Sequence, residues 1–173
     1  MPRHSGFLFS IIGQIKDKPV RIGTEVGVWL GTNAKELFNQ FPELRLNLVD
    51  CYEEDQLELA LRHNRSAAAA ENTAHSILQS YEDRCFWFKL LSVEAAKKIP
   101  DKSQDFVFID ADHRYESVKE DIEAWQPKVR EGGILCGHDY VSNRKGCIQA
   151  VDEAFGDRIN VTRGLVPVWW LFL

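Results

Sequence analysis

The sequence predicts an α/β fold: a mostly parallel sheet with helices on both faces and an antiparallel strand pair in its C-terminal part. Three observations carry this expectation. Short apolar β-type runs alternate with helical stretches, as strands and crossover helices do in a parallel sheet. A glycine-punctuated turn, Glu25-Val-Gly27-Val-Trp-Leu-Gly31, joins the first run to the first helix. The last two runs lie too close together for a crossover, which takes about a dozen residues or more.

The elements follow in order. Residues 1–19 form an N-terminal covering segment, in which Gly6 to Gly13 (Gly-Phe-Leu-Phe-Ser-Ile-Ile-Gly) reads as a short helix or apolar cover on the sheet. The strand runs are Val20 to Val26, Leu44 to Val49, Cys85 to Leu91, Phe106 to Ile109 and Gly133 to Cys136. Each is nearly continuous in apolar residues, as strands buried on both faces are. Helices are expected over Asn33 to Phe41, Asp55 to Ser80, Val93 to Ile99, Ser117 to Val129 and Lys145 to Phe155. Ala67 to Ala70 are strong helix formers within the second, whereas His63-Asn64 makes a poor centre and divides that stretch. Pro127 ends or kinks the fourth near Trp125. Arg158 to Arg163 and Val166 to Leu173, joined around Gly164, make the antiparallel pair. The final Val-Trp-Trp-Leu-Phe-Leu is too apolar for an open edge and belongs inside the sheet. There is no repeat or linker, so residues 1–173 read as a single domain.

Charge and composition exclude other classes. A net charge of −5 argues against a nucleic-acid backbone binder, which displays a basic surface. No apolar stretch approaches the roughly 20 residues of a membrane span, and Gly6 to Gly13 is too short for a secretory signal core. Cys51, Cys85, Cys136 and Cys147 show neither CxxC nor zinc-finger spacing and read as reduced, structural side chains. A cytoplasmic location is the expectation.

Polar groups gather at the carboxyl ends of the predicted strands, where open α/β sheets bind ligands. The first end carries Glu25 and the glycine turn, followed by a helix N-terminus with free N–H donors and a partial positive charge. This points to a nucleotide-like ligand, although the spacing is GxxxG and the GxGxxG dinucleotide fingerprint is not met. The second ends at Asp50, about 20 residues on, which suits ribose hydroxyls. After the third comes Ser92-Val-Glu94-Ala. The fourth ends in Asp110-Ala-Asp112-His113-Arg-Tyr115, and the fifth in Gly-His138-Asp139-Tyr140.

Taken in order, E-V-G-V-W-L-G-T-N-A, L-V-D, S-V-E-A-A, D-F-V-F-I-D-A-D-H-R-Y and G-G-I-L-C-G-H-D-Y resemble the class I S-adenosylmethionine-dependent methyltransferases, over roughly Val20 to Leu173. Small-molecule O-methyltransferases are the nearest in character. The resemblance implies a Rossmann-like sheet of seven strands, with the seventh inserted between two others. It implies that Glu25, Gly27 and Gly31 form the S-adenosylmethionine loop, with Thr32 and Asn33 near the methionine moiety. Asp50 would hold the ribose, Ser92 and Glu94 would lie beside the adenine, and Asp110 would border the same site. From the residues alone, Thr32 and Asn33 equally suit helix N-caps, and Glu94 suits dipole compensation in a first helical turn.

At the reacting end, a hydroxyl nucleophile needs a base or a metal that lowers its pKa. In metal-dependent O-methyltransferases an Asp at the end of strand four and an acidic or amide pair after strand five hold a divalent ion. Asp110 and Asp139 fall on those positions, but His138 precedes Asp139 and Tyr140 follows it, which departs from the pattern. Asp110, His138 and Asp139 thus form a candidate site for Mg²⁺, Mn²⁺ or a softer ion. The rival is metal-free chemistry, with His138 or His113 taking the proton beside Asp112 and Asp139. Tyr115 suits a role closing the site or capping its helix, and His4, His63 and His75 receive no role.

The function expected is methyl transfer to a small-molecule acceptor, a hydroxyl in the first instance. A non-catalytic S-adenosylmethionine-binding protein and a nicotinamide-dependent oxidoreductase are the alternatives. With few residues ahead of the first strand, a second subunit is expected to cover the acceptor side, making a homodimer.

Overall fold

A computed structural model describes residues 4–53, 66–164 and 167–173. Seven strands form one sheet in the order β3-β2-β1-β4-β5-β7-β6. They are β1 (Ile22–Val26), β2 (Arg45–Val49), β3 (Cys85–Phe88), β4 (Gln104–Ile109), β5 (Val129–Gly137), β6 (Asn160–Val161) and β7 (Trp169–Phe172). The first five pair in parallel. β7 runs antiparallel to both β5 and β6 and lies between them, which is where its apolar sequence places it.

The helices are α1 (His4–Ile12), α2 (Thr32–Gln40), α3 (Ala67–Leu78), α4 (Ser92–Ala96), α5 (Tyr115–Trp125) and α6 (Lys145–Phe155). The expected helix from Asp55 lies outside the described residues as far as Arg65, as does Val166 at the start of the last run. α5 gives way at Gln126 to a short 3-10 turn containing Pro127, because proline has no N–H to continue the ladder.

Two cores sandwich the sheet. On one face Leu8, Ile12, Leu37, Phe38, Ala74 and Leu78 of α1, α2 and α3 pack on Leu46, Leu48, Phe106 and Phe108. On the other, Ala95, Val118, Ile122, Trp125 and Val151 of α4, α5 and α6 pack on Val107, Ile109, Leu135 and Trp169. Successive residues of β4 alternate between these cores, and all six are buried, as the period of two in a central strand requires.

Two strands depart from expectation. β3 is an edge strand and only half buried, with Phe86 45% exposed. β5 begins at Val129 rather than Gly133, and its register with β4 shifts between Gln104 and Phe106. The extra residues include Gly132, at φ 71°, a left-handed backbone that glycine adopts without strain.

β1 lies between β2 and β4, whose crossovers lead to opposite edges of the sheet. Such a switch point opens a crevice beyond the strand ends. The opposite end of β4 is pinned by Asp105, which accepts from the Arg21 and Ile22 amides and from Arg130 Nε.

Candidate active site

A cleft of 610 Å³ opens at this switch point. Val26, Gly27, Trp29, Val49 to Glu53, Leu90 to Glu94, Asp110 to Arg114, Ser117, Glu120, Asp121 and Arg144 are among its lining. Its walls are acidic, and acidic walls favour a cationic ligand.

Gly27 shapes the turn by approaching the protein itself. Its φ is 94°, and a Cβ there would lie 2.1 Å from the Asp110 carbonyl oxygen. The glycine therefore lets the β1 and β4 ends meet backbone to backbone, rather than making room for a ligand as the turn alone suggests. Gly31 (φ 72°) is the residue that caps α2, and its Cβ would press on Leu78 and Ala74 of α3. Three non-glycine residues at or beside the cleft, Trp29, Tyr52 and Asp139, also have positive φ. Such backbones cost on the order of 1–3 kcal/mol each and cluster at functional sites.

Beneath the turn, Glu25 is fully buried and accepts from Asn33 Nδ2 at 2.9 Å. Burial, less that hydrogen bond and with Asp110 and Asp50 adding negative charge, pushes its carboxyl up to about 8. Glu25 Oε2 and Asn33 Oδ1 are buried acceptors without a hydrogen-bond partner among the described residues. Once Glu25 is ionised, these two orphaned oxygens fit a donor-bearing cation such as an ammonium group. Neither Thr32 nor Asn33 is the N-cap, because Gly31 holds that position. Thr32 faces outward and does not border the cleft.

Asp50 borders the cleft, but its carboxylate already supports the turn. Oδ2 accepts from the Val28 and Trp29 amides at 3.0 and 2.8 Å, and Oδ1 from the Tyr52 amide at 3.0 Å. Burial raises its pKa against the pull of those amides. Ser92 is likewise engaged, its Oγ accepting from Trp125 Nε1 at 2.8 Å. Glu94, at the first turn of α4, lines the cleft and pairs with Lys97.

At the other end, Asp112 folds back on its own loop and accepts from the Arg114 amide and Nε and from Ser117 Oγ. Burial raises its carboxyl, but these bonds outweigh that and leave it lowered. It anchors the start of α5. His113 borders the cleft, with Nε2 3.2 Å from Asp139 Oδ2. His138 sits with Nδ1 3.2 Å from Asp110 and 3.4 Å from Asp139. Burial disfavours its charged form, yet the bond to Asp110 and the two carboxylate charges raise its pKa. Arg144 Nε lies 3.6 Å from Asp139. Tyr115 turns away to bond Glu153 on α6.

These donors do not fit a divalent ion. The His138 imidazole lies between Asp110 and Asp139, and the Arg144 guanidinium compensates the second carboxylate. Among the described residues no group of three or more His, Cys, Asp or Glu side chains is arranged to hold a metal.

The sequence model of a family described as a methyltransferase domain matches residues 20–140. The chain belongs to that family. It is therefore an S-adenosylmethionine-dependent methyltransferase, and the nicotinamide alternative falls away. No curated protein matches it. Solved structures share the methyltransferase's fold at low identity. A Corynebacterium glutamicum protein superposes with TM-score 0.71 at 13% identity, over 98% of this chain and 79% of its own. A candidate caffeoyl-CoA O-methyltransferase from Staphylococcus aureus gives 0.70 at 13%, over 100% and 85%. An S-adenosylmethionine-dependent O-methyltransferase from Thermotoga maritima gives 0.68 at 14%, over 98% and 64%.

The methyltransferase's cleft includes charged groups that motif spacing does not single out, Arg144 and Asp121 among them. Arg144 arrives from the start of α6. Asp121 lies on the buried stripe of α5 with Val118, Ile122 and Trp125; an acid on an apolar helical face was the signal for it. No described helix is long and apolar enough to cross a membrane.

Proposed function

We propose that the enzyme transfers the methyl group of S-adenosylmethionine to a hydroxyl of a small acceptor, with His113 taking the hydroxyl proton. The observation that carries this reading is the contact between His113 Nε2 and Asp139 Oδ2 at the cleft wall, 3.2 Å. An Nε2–H donated to Asp139 fixes the tautomer and leaves the Nδ1 lone pair as proton acceptor. The strained backbone of Asp139, φ 57°, holds the carboxylate in place for this.

When bound, S-adenosylmethionine supplies a methyl carbon made electrophilic by its sulfonium, and in-line attack by the acceptor oxygen yields a methyl ether and S-adenosylhomocysteine. The chain's own contribution is positioning and proton removal. Glu25 Oε2 and Asn33 Oδ1 offer acceptors to the methionine ammonium. A carboxylate has about four acceptor sites; backbone amides use three at Asp50, so Asp50 takes one ribose hydroxyl rather than both. Val49, Leu91 and Val93 supply apolar walls for the base. A cleft of 610 Å³ matches small ligands.

Metal assistance has less support, because His138 and Arg144 already supply the cationic groups beside Asp110 and Asp139. The test is transfer of labelled methyl groups to phenolic and catechol acceptors, with chelator and with Mg²⁺ or Mn²⁺. Turnover should survive the chelator. His113→Gln should lower kcat by about 10²–10⁴-fold while S-adenosylhomocysteine still binds. A strict requirement for added metal, or an undiminished rate in His113→Gln, refutes this mechanism.

A further inference from the structure

The two edges of the sheet are finished differently. β6 is two residues long, both exposed, a stub that offers another strand little to pair with. β3 is the other edge. Its Cys-Phe-Trp-Phe carries neither a charge nor a proline, the devices that usually blunt an edge. The Asp50 amide donates to the Phe88 carbonyl, so Phe88, and Phe86 two residues before it, turn their backbone groups inward to β2. By alternation Cys85 and Trp87 point theirs outward, where no strand of the described residues meets them. The side chains alternate too. Trp87 is covered by the His75 ring, with 4.1 Å between centroids, whereas Phe86, on the opposite face of the sheet, is left 45% exposed. Asp83 and Lys89 flank the strand, and both are exposed.

We propose that β3 is a self-association surface, on which a second copy of this chain lays its own β3 antiparallel to the first, about a two-fold axis at Phe86, so that the two sheets become continuous. The outward backbone groups restrict the register, because antiparallel residues that exchange hydrogen bonds must both point outward. In the register centred on Phe86, Cys85 exchanges bonds with Trp87 of the partner subunit. Phe86 then stands opposite the partner's Phe86 in the closely spaced, non-hydrogen-bonded position. The same register brings Asp83 alongside Lys89 of the partner subunit and, by the two-fold, Lys89 alongside the partner's Asp83. Sliding two residues one way sets Asp83 against the partner's Trp87, and the other way sets Lys89 against the partner's Cys85. Either slip loses both charge pairs. Lys89 already holds Glu71 at 2.8 Å, but an ammonium has three donors and serves both carboxylates. An aromatic pair at the centre and opposite charges at the ends are the cross-strand contacts that stabilise antiparallel strands. A two-fold contact also closes on itself, so growth stops at the dimer. The surface lies at the edge away from β5 and leaves the acceptor side uncovered.

Sedimentation equilibrium across the micromolar range should find wild type as a dimer. Asp83→Lys sets like charges beside each other at both ends and should weaken the dimer by about tenfold or more; Asp83 is exposed, so the fold survives the change. Adding Lys89→Asp to that variant restores the pairs in reverse order and should recover the lost affinity. Phe86→Cys tests the register. Cα atoms at a non-hydrogen-bonded antiparallel site lie about 4.5 Å apart, within a disulfide's span, so mild oxidation should join this variant into a covalent dimer. Wild type should not cross-link, because Cys85 and the partner's Cys85 would lie two positions out of register, beyond a disulfide's reach. A monomeric wild type overturns the proposal. So does Asp83→Lys with wild-type affinity, a double variant as weak as the single, or Phe86→Cys that stays uncross-linked. A disulfide through Cys85 in wild type places the contact in another register and overturns it as well.

Discussion

Asn33, in the first turn of α2, donates to Glu25 near the end of β1 at 2.9 Å, tying helix to strand beneath the glycine turn. One oxygen of each side chain is left over. Glu25 is held largely protonated at neutral pH, with a pKa near 8.

Cofactor binding should therefore release protons. An ammonium arriving beside Glu25 favours the carboxylate, so S-adenosylhomocysteine binding at pH 7 should expel close to one proton. Titration in buffers of different ionisation enthalpy measures this directly. Glu25→Gln should abolish the release and weaken binding by about tenfold or more, the scale of a hydrogen bond to a charged group. Release that persists in the variant assigns the proton elsewhere.

Stability without ligand should fall as pH rises. Burial lifts the folded pKa of Glu25 from 4.5 to about 8 and that of Asp121 from 3.8 to about 7. Between the unfolded and folded values the unfolded chain binds fewer protons, so unfolding becomes easier with each step up in pH. The decline begins near pH 4 and levels off above about pH 8. Denaturant titrations of wild type and Glu25→Gln across pH 5–9 check it, and the variant should show the flatter profile.

Gly27→Ala should be far more damaging than Gly31→Ala. The first places a Cβ 2.1 Å from the Asp110 carbonyl at φ 94°, whereas the second meets the Leu78 Cδ1 at 3.1 Å. A 2.1 Å overlap with backbone has no room to yield, whereas contacts of 3.1–3.3 Å with Leu78 and Ala74 ask for a shift of a few tenths of an ångström. Costs of more than about 3 kcal/mol and about 1–2 kcal/mol follow, read as the separation of melting temperatures. Equal melting temperatures would contradict the close contact of the two strand ends.

The alternation of runs was enough to place β1 to β5, and the apolarity of Trp169 to Phe172 was enough to seat β7 inside the sheet. Motif order likewise marked the strand ends that line the cleft. What the spacing did not carry is the partner each side chain takes. Asp50 stands at the expected strand end, yet it faces amides 21 and 22 residues earlier. His138 inserts between Asp110 and Asp139, an arrangement decided by where the β4 and β5 ends meet. Thr32 follows the turn as expected but is exposed and not among the cleft lining. Each is a long-range or rotational outcome, and a linear pattern encodes those only weakly.

β7 is made after every other strand, yet it is the one that joins β6 to the rest of the sheet. Its pairing runs from Ile134↔Phe172 to Gly137↔Trp169, so it ends against the residue that precedes His138. While a ribosome is still short of Trp169, a growing chain can assemble the strands around the nucleoside-binding end and leaves the strand carrying His138 and Asp139 unbraced. The apolar flank of β5 is then open to solvent and is where a holdase chaperone would bind during synthesis. Chains cut short before β7 would leave the end of β5, just ahead of His138 and Asp139, without its antiparallel neighbour.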